Sequence, residues 1–150
     1  MMISPATYLK LLINCYPPYW ATGIVVKEIA QDFTRIRVEM GMHWYNRNYV
    51  KTHFGGSLYA MTDPFYMLML IKLLGKEYTV WDKSAKIEFL KASKDRVFAN
   101  FVISPQQVAE IKALAEDGRR VLYDLGVDVV DKTGVMIAKG IKTLYIKKKI

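Results

Sequence analysis

One stretch, THFGGSLYAMTDPFYMLMLIKLLG at residues 52–75, holds most of the side chains that could do chemistry. Asp63 is a carboxylate in an otherwise apolar segment, and dry surroundings can fit such a group for general-base work. Ser57 offers a hydroxyl that becomes a nucleophile only beside a base, and the sequence shows no such partner. Gly55-Gly56 allow a tight turn or a close backbone approach. Asp63 also has a plainer reading, because Asp followed by Pro is the pattern of a helix N-cap and first-turn proline. The carboxylate therefore either caps a helix that begins at Phe65 or projects from one that begins near Gly56. Leu58, Met61, Phe65 and Leu68 keep helical spacing across Pro64. That spacing predicts one kinked helix over about 56–74, even though an interior proline costs about 3 kcal/mol. On such a helix Gly56 and Asp63 share a side, since seven residues turn through about 700°.

The elements that must position this segment are marked along the rest of the chain. Ser4 before Pro5, then Tyr8, Leu9, Leu11, Leu12 and Cys15, predict an amphipathic helix over about 4–15 that Pro17 ends. Two strand-like runs, 24–29 and 33–40, flank a Gln31-Asp32 turn. A polar aromatic loop, HWYNRNYVKTH, follows; there His43, Trp44 and His53 read as surface or packing residues and Asn46 and Asn48 as turn-capping asparagines. Beyond the apolar helix, Ala85, Ile87 and Phe89 alternate on one face of a strand, and Val97, Ala99, Phe101 and Ile103 on one face of the next. KASKDR reads as the turn between them. Ser104, Pro105 and Gln107 form a capping box for a short helix over about 105–117, with Gly118 beyond its last turn. Val121, Tyr123, Leu125, Val127 and Val129 alternate, DKTG turns the chain, and a last strand completes a hairpin. Six mostly antiparallel strands and one buried apolar helix make an α+β domain spanning residues 1–150.

Composition excludes several classes. One cysteine and two histidines among 150 residues make a poor metal inventory and allow no internal disulfide, so no metal is expected and a reducing, cytoplasmic setting is. The longest apolar run, 65–74, is interrupted by Lys72 and reaches half of the ~20 residues of a membrane span. A formal charge of +8 suits an anionic ligand. The basic residues are scattered from Lys10 to Lys149, however, and IKKKI at the C-terminus reads as a solvated strand end, so nucleic acid is not expected as a partner.

The element order and the FGGSLYAMTDP segment resemble the hotdog fold, a curled antiparallel sheet around a central helix, over residues 23–146. More narrowly they resemble a bacterial hotdog group regarded as acyl-CoA thioesterases. The resemblance implies hydrolysis of an acyl thioester bound across the interface of a homodimer or homotetramer, with coenzyme A as part of the substrate and no separate cofactor. It assigns the oxyanion donor to the Gly56 N–H at a helix start, where free amides and the helix dipole favour negative charge. Asp63 becomes the general base or nucleophile. Gly55, Ser57, His53, Asn48 and Phe54 become substrate-contacting residues, and some of Tyr59, Met61, Tyr66, Met67 and Met69 could line an acyl tunnel. The sequence departs from the phenylacetyl-CoA thioesterase branch, where histidine directly precedes Gly-Gly; here Phe54 intervenes after His53. A non-catalytic acyl-CoA or lipid-binding module would keep the slot and not need Asp63. A hydratase would need an acidic residue on the helix, and no glutamate lies between Gly56 and Gly75.

Overall fold

A computed structural model of the chain describes residues 3–149. The elements run α1 (Pro5–Asn14), α2 (Pro17–Thr22), β1 (Ile24–Ile29), β2 (Arg35–Met40), α3 (Gly55–Ala60), α4 (Phe65–Leu74), β3 (Tyr78–Phe89), β4 (Val97–Val102), α5 (Pro105–Leu114), β5 (Val121–Asp131) and β6 (Met136–Lys148). The strands form one antiparallel sheet in the order β1-β2-β4-β5-β6-β3. This is the expected α+β hotdog arrangement, with the apolar face of the sheet packed against the segment that follows Gly55.

Alternation decides which face is buried, because successive side chains of a strand point to opposite sides. Ile36, Val38 and Met40 of β2 and Val97, Ala99 and Phe101 of β4 point inward and are buried. Val121, Leu125, Val127 and Val129 of β5 and Ala138, Leu144 and Ile146 of β6 complete the wall. Phe65, Tyr66, Met69, Leu70 and Leu74 of α4 fill the space against it. The rings of Phe65 and Tyr66 lie 4.9 and 5.1 Å from that of Phe101. The Tyr66 hydroxyl donates to Gly126 O at 2.6 Å, and burial pushes its pKa up to about 12. The α5 capping box forms as predicted: Gln107 N donates to Ser104 Oγ, and Ser104 N donates to Gln107 Oε1.

Two expectations are corrected, and one element is added. The single helix over about 56–74 is two helices, α3 closing at its C-cap Met61 and α4 starting at Phe65, with a turn between them. Pro64 has no N–H to donate and so cannot continue the ladder. Turn bonds take over, Thr62 N to Tyr59 O at 2.9 Å and Asp63 N to Ala60 O at 3.2 Å, and the Asp63–Pro64 peptide is cis. Second, β3 and β4 do not form a hairpin. β3 pairs with β6 at the sheet edge while β4 lies between β2 and β5, so the KASKDR region is a crossover. Pro17 ends α1 as expected, and with Pro18 it also opens α2, because proline is preorganised for a helix's first turn.

The two sheet edges differ. On β1, the Asn14 side chain donates to Val26 O at 2.9 Å and accepts from Val26 N at 2.8 Å, while Lys10 Nζ reaches Lys27 O at 3.0 Å. These bonds occupy edge groups that another strand would use. The twelve residues of β3 end the sheet on the other side.

Candidate functional site

The aromatic loop before α3 is built around Asn46, which is buried. Its amide donates to Thr22 O and Gly41 O at 2.9 and 2.7 Å, and its carbonyl accepts from His43 N at 2.7 Å. Asn48 is similarly engaged: Oδ1 accepts from Thr52 N, and Nδ2 donates to Thr52 Oγ1 and His53 O. Two asparagines thus hold the loop by satisfying its backbone, the role their residue type suggested. Trp44, 80% exposed, and the fully exposed Tyr49 stand on its outer surface.

His53 ends this loop and is only 5% exposed. Its Nε2 lies 2.7 Å from Asp95 O, a pairing that requires an N–H on Nε2 and leaves Nδ1 with the lone pair; Nδ1 is buried without a partner among the described residues. Burial depresses the imidazole pKa, and the bond to Asp95 only partly opposes this. A neutral histidine locked to a backbone carbonyl ties the start of α3 to the β3–β4 crossover.

Phe54 occupies the N-cap position of α3, with no side-chain cap. Ser57 N and Leu58 N both bond to Phe54 O, and the N–H groups of Gly55 and Gly56 have no intramolecular acceptor among the described residues. A Cβ on Gly56 would collide with the Phe54 ring, and one on Gly55 would sit 3.0 Å from Phe89 Cζ. The glycine pair therefore lets two aromatic rings close over the helix start. Two cavities flank it. One, of about 330 Å³, is lined by Asn48, His53, Gly55, Leu58, Phe89 and Lys91. The other, of about 380 Å³, is lined by Tyr45, Arg47, Asn48, Phe54, Gly56 and Ser57. The structure thus brings together Gly55, Gly56, Ser57, His53, Asn48 and Phe54. Ser57 is buried, and its hydroxyl bonds to neither histidine nor carboxylate.

Asp63 lines neither cavity. It lies past the far end of α3, where Tyr19 OH donates to its main-chain oxygen. Burial first, then the charge of Asp63, pushes the Tyr19 phenol well above its ordinary range. The Asp63 side chain is not a helix cap: the N-cap of α4 is Pro64, with no side-chain bond. Its Oδ1 instead accepts from Lys142 Nζ, while among the described residues no donor engages Oδ2, and the Asp82 carboxyl stands close enough for the two to perturb each other. Lys142 also lies 3.3 Å from Asp82 Oδ1, out of hydrogen-bond alignment, and 5.8 Å from the centre of the Tyr59 ring. The Asp63 side chain keeps 44% of its exposure and Asp82 24%, whereas Lys142 keeps 3%.

The three charges perturb one another. Burial pulls the Lys142 pKa down, but its bond to Asp63 and the attraction of both carboxylates leave it raised overall. Burial raises the Asp82 carboxyl and Asp63 adds to that rise, with Lys142 opposing. Sequence reasoning missed both Lys142 and Asp82. A signal for Lys142 was present, since alternation places it on the inward face of β6 between Gly140 and Leu144. Asp82 was hidden because a register shift between Asp82 and Ser84 changes which side chains of β3 face inward.

An apolar groove of about 200 Å³ is lined by Leu12, Ile13, Tyr16, Tyr19 and Pro64, the residue after Asp63. Among the described residues no group of three or more His, Cys, Asp or Glu side chains could hold a metal ion, and no helix is long and apolar enough to cross a membrane.

A family model described as "Domain of unknown function (DUF4442)" matches residues 6–146. No curated protein matches the chain. Among solved structures, the chain is similar to PA5026 of Pseudomonas aeruginosa, a protein of unknown function titled a probable thioesterase, at 14% identity and TM-score 0.81 over 94% of each chain. It is similar to the thioesterase HI1161 of Haemophilus influenzae at 15% identity and TM-score 0.69, over 93% of this chain and 88% of that one. A protein of unknown function from Chlorobaculum tepidum matches at 14% identity and TM-score 0.74, over 95% of this chain and 93% of its own. At such identities the likeness establishes the shared fold.

Proposed function

We propose that this chain, which belongs to the DUF4442 family, hydrolyses acyl thioesters of the coenzyme A type. The observation that carries the reading is the Asp63 carboxylate, with one oxygen held by a buried lysine and the other unbonded, in a fold whose glycine-started helix presents free amides. Two structural neighbours, a probable thioesterase of Pseudomonas aeruginosa and the thioesterase HI1161 of Haemophilus influenzae, add support. Asp63 Oδ2 takes a proton from water as the water oxygen attacks the thioester carbonyl carbon. The carbonyl oxygen gains the negative charge, which the Gly56 N–H stabilises. Collapse re-forms the C=O, breaks the C–S bond and releases the thiolate, and the proton on Asp63 passes to the leaving sulfur. Arg47 and Lys91, exposed at the two cavities, suit the phosphates of the carrier.

One chain does not complete this site. The Gly56 N–H opens α3, whereas the Asp63 carboxylate lies past the far end of that helix and lines neither cavity at its start. A second copy is needed to bring its Asp63 to this Gly56. The uncovered β3 edge, opposite a β1 edge closed by Asn14 and Lys10, suits pairing of two copies. The lack of disulfides agrees with a cytoplasmic setting. The experiment is steady-state hydrolysis across acyl-CoA substrates of increasing chain length, with Asp63→Asn as the control. A second reading, an acyl-CoA or lipid-binding module without turnover, is favoured by the apolar groove at Pro64, which could hold an acyl chain without Asp63. Saturable binding with no hydrolysis would select it.

A further inference from the structure

A lysine buried in the wall of a sheet is an expensive way to stabilise a fold. Replacing buried ionic groups by apolar residues of similar volume is often neutral or stabilising, whereas an uncompensated buried charge is strongly destabilising. Lys142 stands in a row of inward positions that is otherwise Ala138, Gly140, Leu144 and Ile146, where an apolar side chain would satisfy packing. Its cross-strand partners are Ala85 and Leu125, so neither adjoining strand supplies an anion directly opposite. Its counter-charges come from elsewhere: from the α3–α4 turn, and from β3, where the register shift after Asp82 accompanies an inward carboxylate. Three departures from ordinary sheet construction, an inward lysine, a bulge and a broken helix, thus converge on one carboxylate. Such departures from local consistency are expected where a site is being held.

We propose that Lys142 is a positioning residue for the hydrolytic reaction: its ammonium fixes Asp63 Oδ1, so that Oδ2 is presented to water in one orientation, while Asp82 shares the same ammonium. The inference rests on the thioesterase reading above. Lys142 does not touch the substrate, because its ammonium is enclosed by the two carboxylates and the Tyr59 ring. Its effect passes entirely through Asp63. A freely rotating Asp63 would spend most of its time with neither oxygen in line, and small misplacements of a reacting group can cost on the order of a hundredfold in rate.

The test uses the full chain with Lys142→Met, the double variant Lys142→Met/Asp82→Asn, and Asp63→Asn, on an acyl-CoA that the wild type hydrolyses. Thermal melting is followed beside kcat and KM. Lys142→Met should lower kcat by about 10- to 100-fold with KM within about twofold, measured below its melting transition. The added Asp82→Asn removes the unbalanced second carboxylate and should recover most of the lost Tm while kcat stays low. Recovery of kcat together with Tm would show that Lys142 only stabilises the fold, and an unchanged kcat in Lys142→Met would show that it does nothing for the reaction. Either result overturns the inference and leaves the thioesterase reading standing, provided that Asp63→Asn is inactive. A fully active Asp63→Asn, or a wild type that turns over no thioester, overturns both.

Discussion

Replacing Lys142 by methionine removes the ammonium that lies between Asp63 and Asp82, and the consequence for stability follows from the geometry. At neutral pH two carboxylates are left facing one another. Breaking a fully buried ion pair costs about 3–5 kcal/mol. Here the remaining carboxylates keep 44% and 24% of their side-chain exposure, and methionine packs well in an apolar wall. The expected cost is therefore lower, about 2–3 kcal/mol. For a domain of this size each kcal/mol moves Tm by about 2–4 °C, which gives a fall of about 5–10 °C at pH 7. The pH dependence has a definite sign. Burial, then Asp63, already holds the Asp82 carboxyl above its ordinary range, and loss of Lys142 takes away the influence that opposes them. A carboxyl whose folded pKa is raised penalises the fold at pH above that value, and the penalty disappears as pH falls toward the unfolded value. The deficit of Lys142→Met should thus shrink as the pH is lowered from 7 into the ordinary carboxylate range. The Lys142 contribution in the wild type is present below the usual lysine range and lost above it, so the gap should also narrow in strong alkali. The assay is thermal melting of both proteins at constant ionic strength. A Tm within 2 °C of wild type at pH 7, or a deficit that stays unchanged down through the ordinary carboxylate range, would refute the description of the cluster.

Three further outcomes are expected. Asn46→Ala removes three hydrogen bonds of a buried side chain that hold the aromatic loop to Thr22, Gly41 and His43 and should destabilise the protein by about 2–4 kcal/mol, read by urea titration. Gly56→Ala should leave Tm within a few degrees, because the half-exposed Phe54 ring can swing away, yet should reduce kcat by tenfold or more by obstructing the approach to the amide; steady-state kinetics beside melting separates the two. The chain should elute in light-scattering chromatography at twice its 17.3 kDa mass or a higher multiple, and a monomer would remove the shared site.

Much of the fold was legible because its signals are local. Ser104, Pro105 and Gln107 announce α5 through backbone geometry that three residues determine, and the alternation in β4 and β5 fixes which side chains are buried. Where the sequence misled, two local signals competed or a distant partner decided. Pro17 serves as both a stop for α1 and a start for α2, and only the stop was read. At Pro64 the helical spacing of Leu58, Met61 and Phe65 outweighed the missing N–H, and the structure resolves the conflict by bending the chain at residues 61–64. Both readings of Asp63 thereby fail in their simple form: it is neither a cap nor a residue on a continuous helix, and its side chain is held instead by β6. The pairing of β3 with β6 depends on a contact between distant segments that periodicity does not report. The same holds for the candidate site. Gly55, Gly56 and Asp63 could be named from one motif, but Lys142 lies 79 residues beyond Asp63, and only the register of β6 brings it inward. An inward lysine in an alternating apolar strand is a readable anomaly, and its partner is not.

The most direct test of the proposed activity is the steady-state rate of acyl-CoA hydrolysis by wild type and by Asp63→Asn, which keeps an acceptor for Lys142 and removes the base. The expected result is measurable wild-type turnover and a loss in kcat of about 10²- to 10⁴-fold in the variant, with KM little changed. Turnover by Asp63→Asn at the wild-type rate would contradict the account.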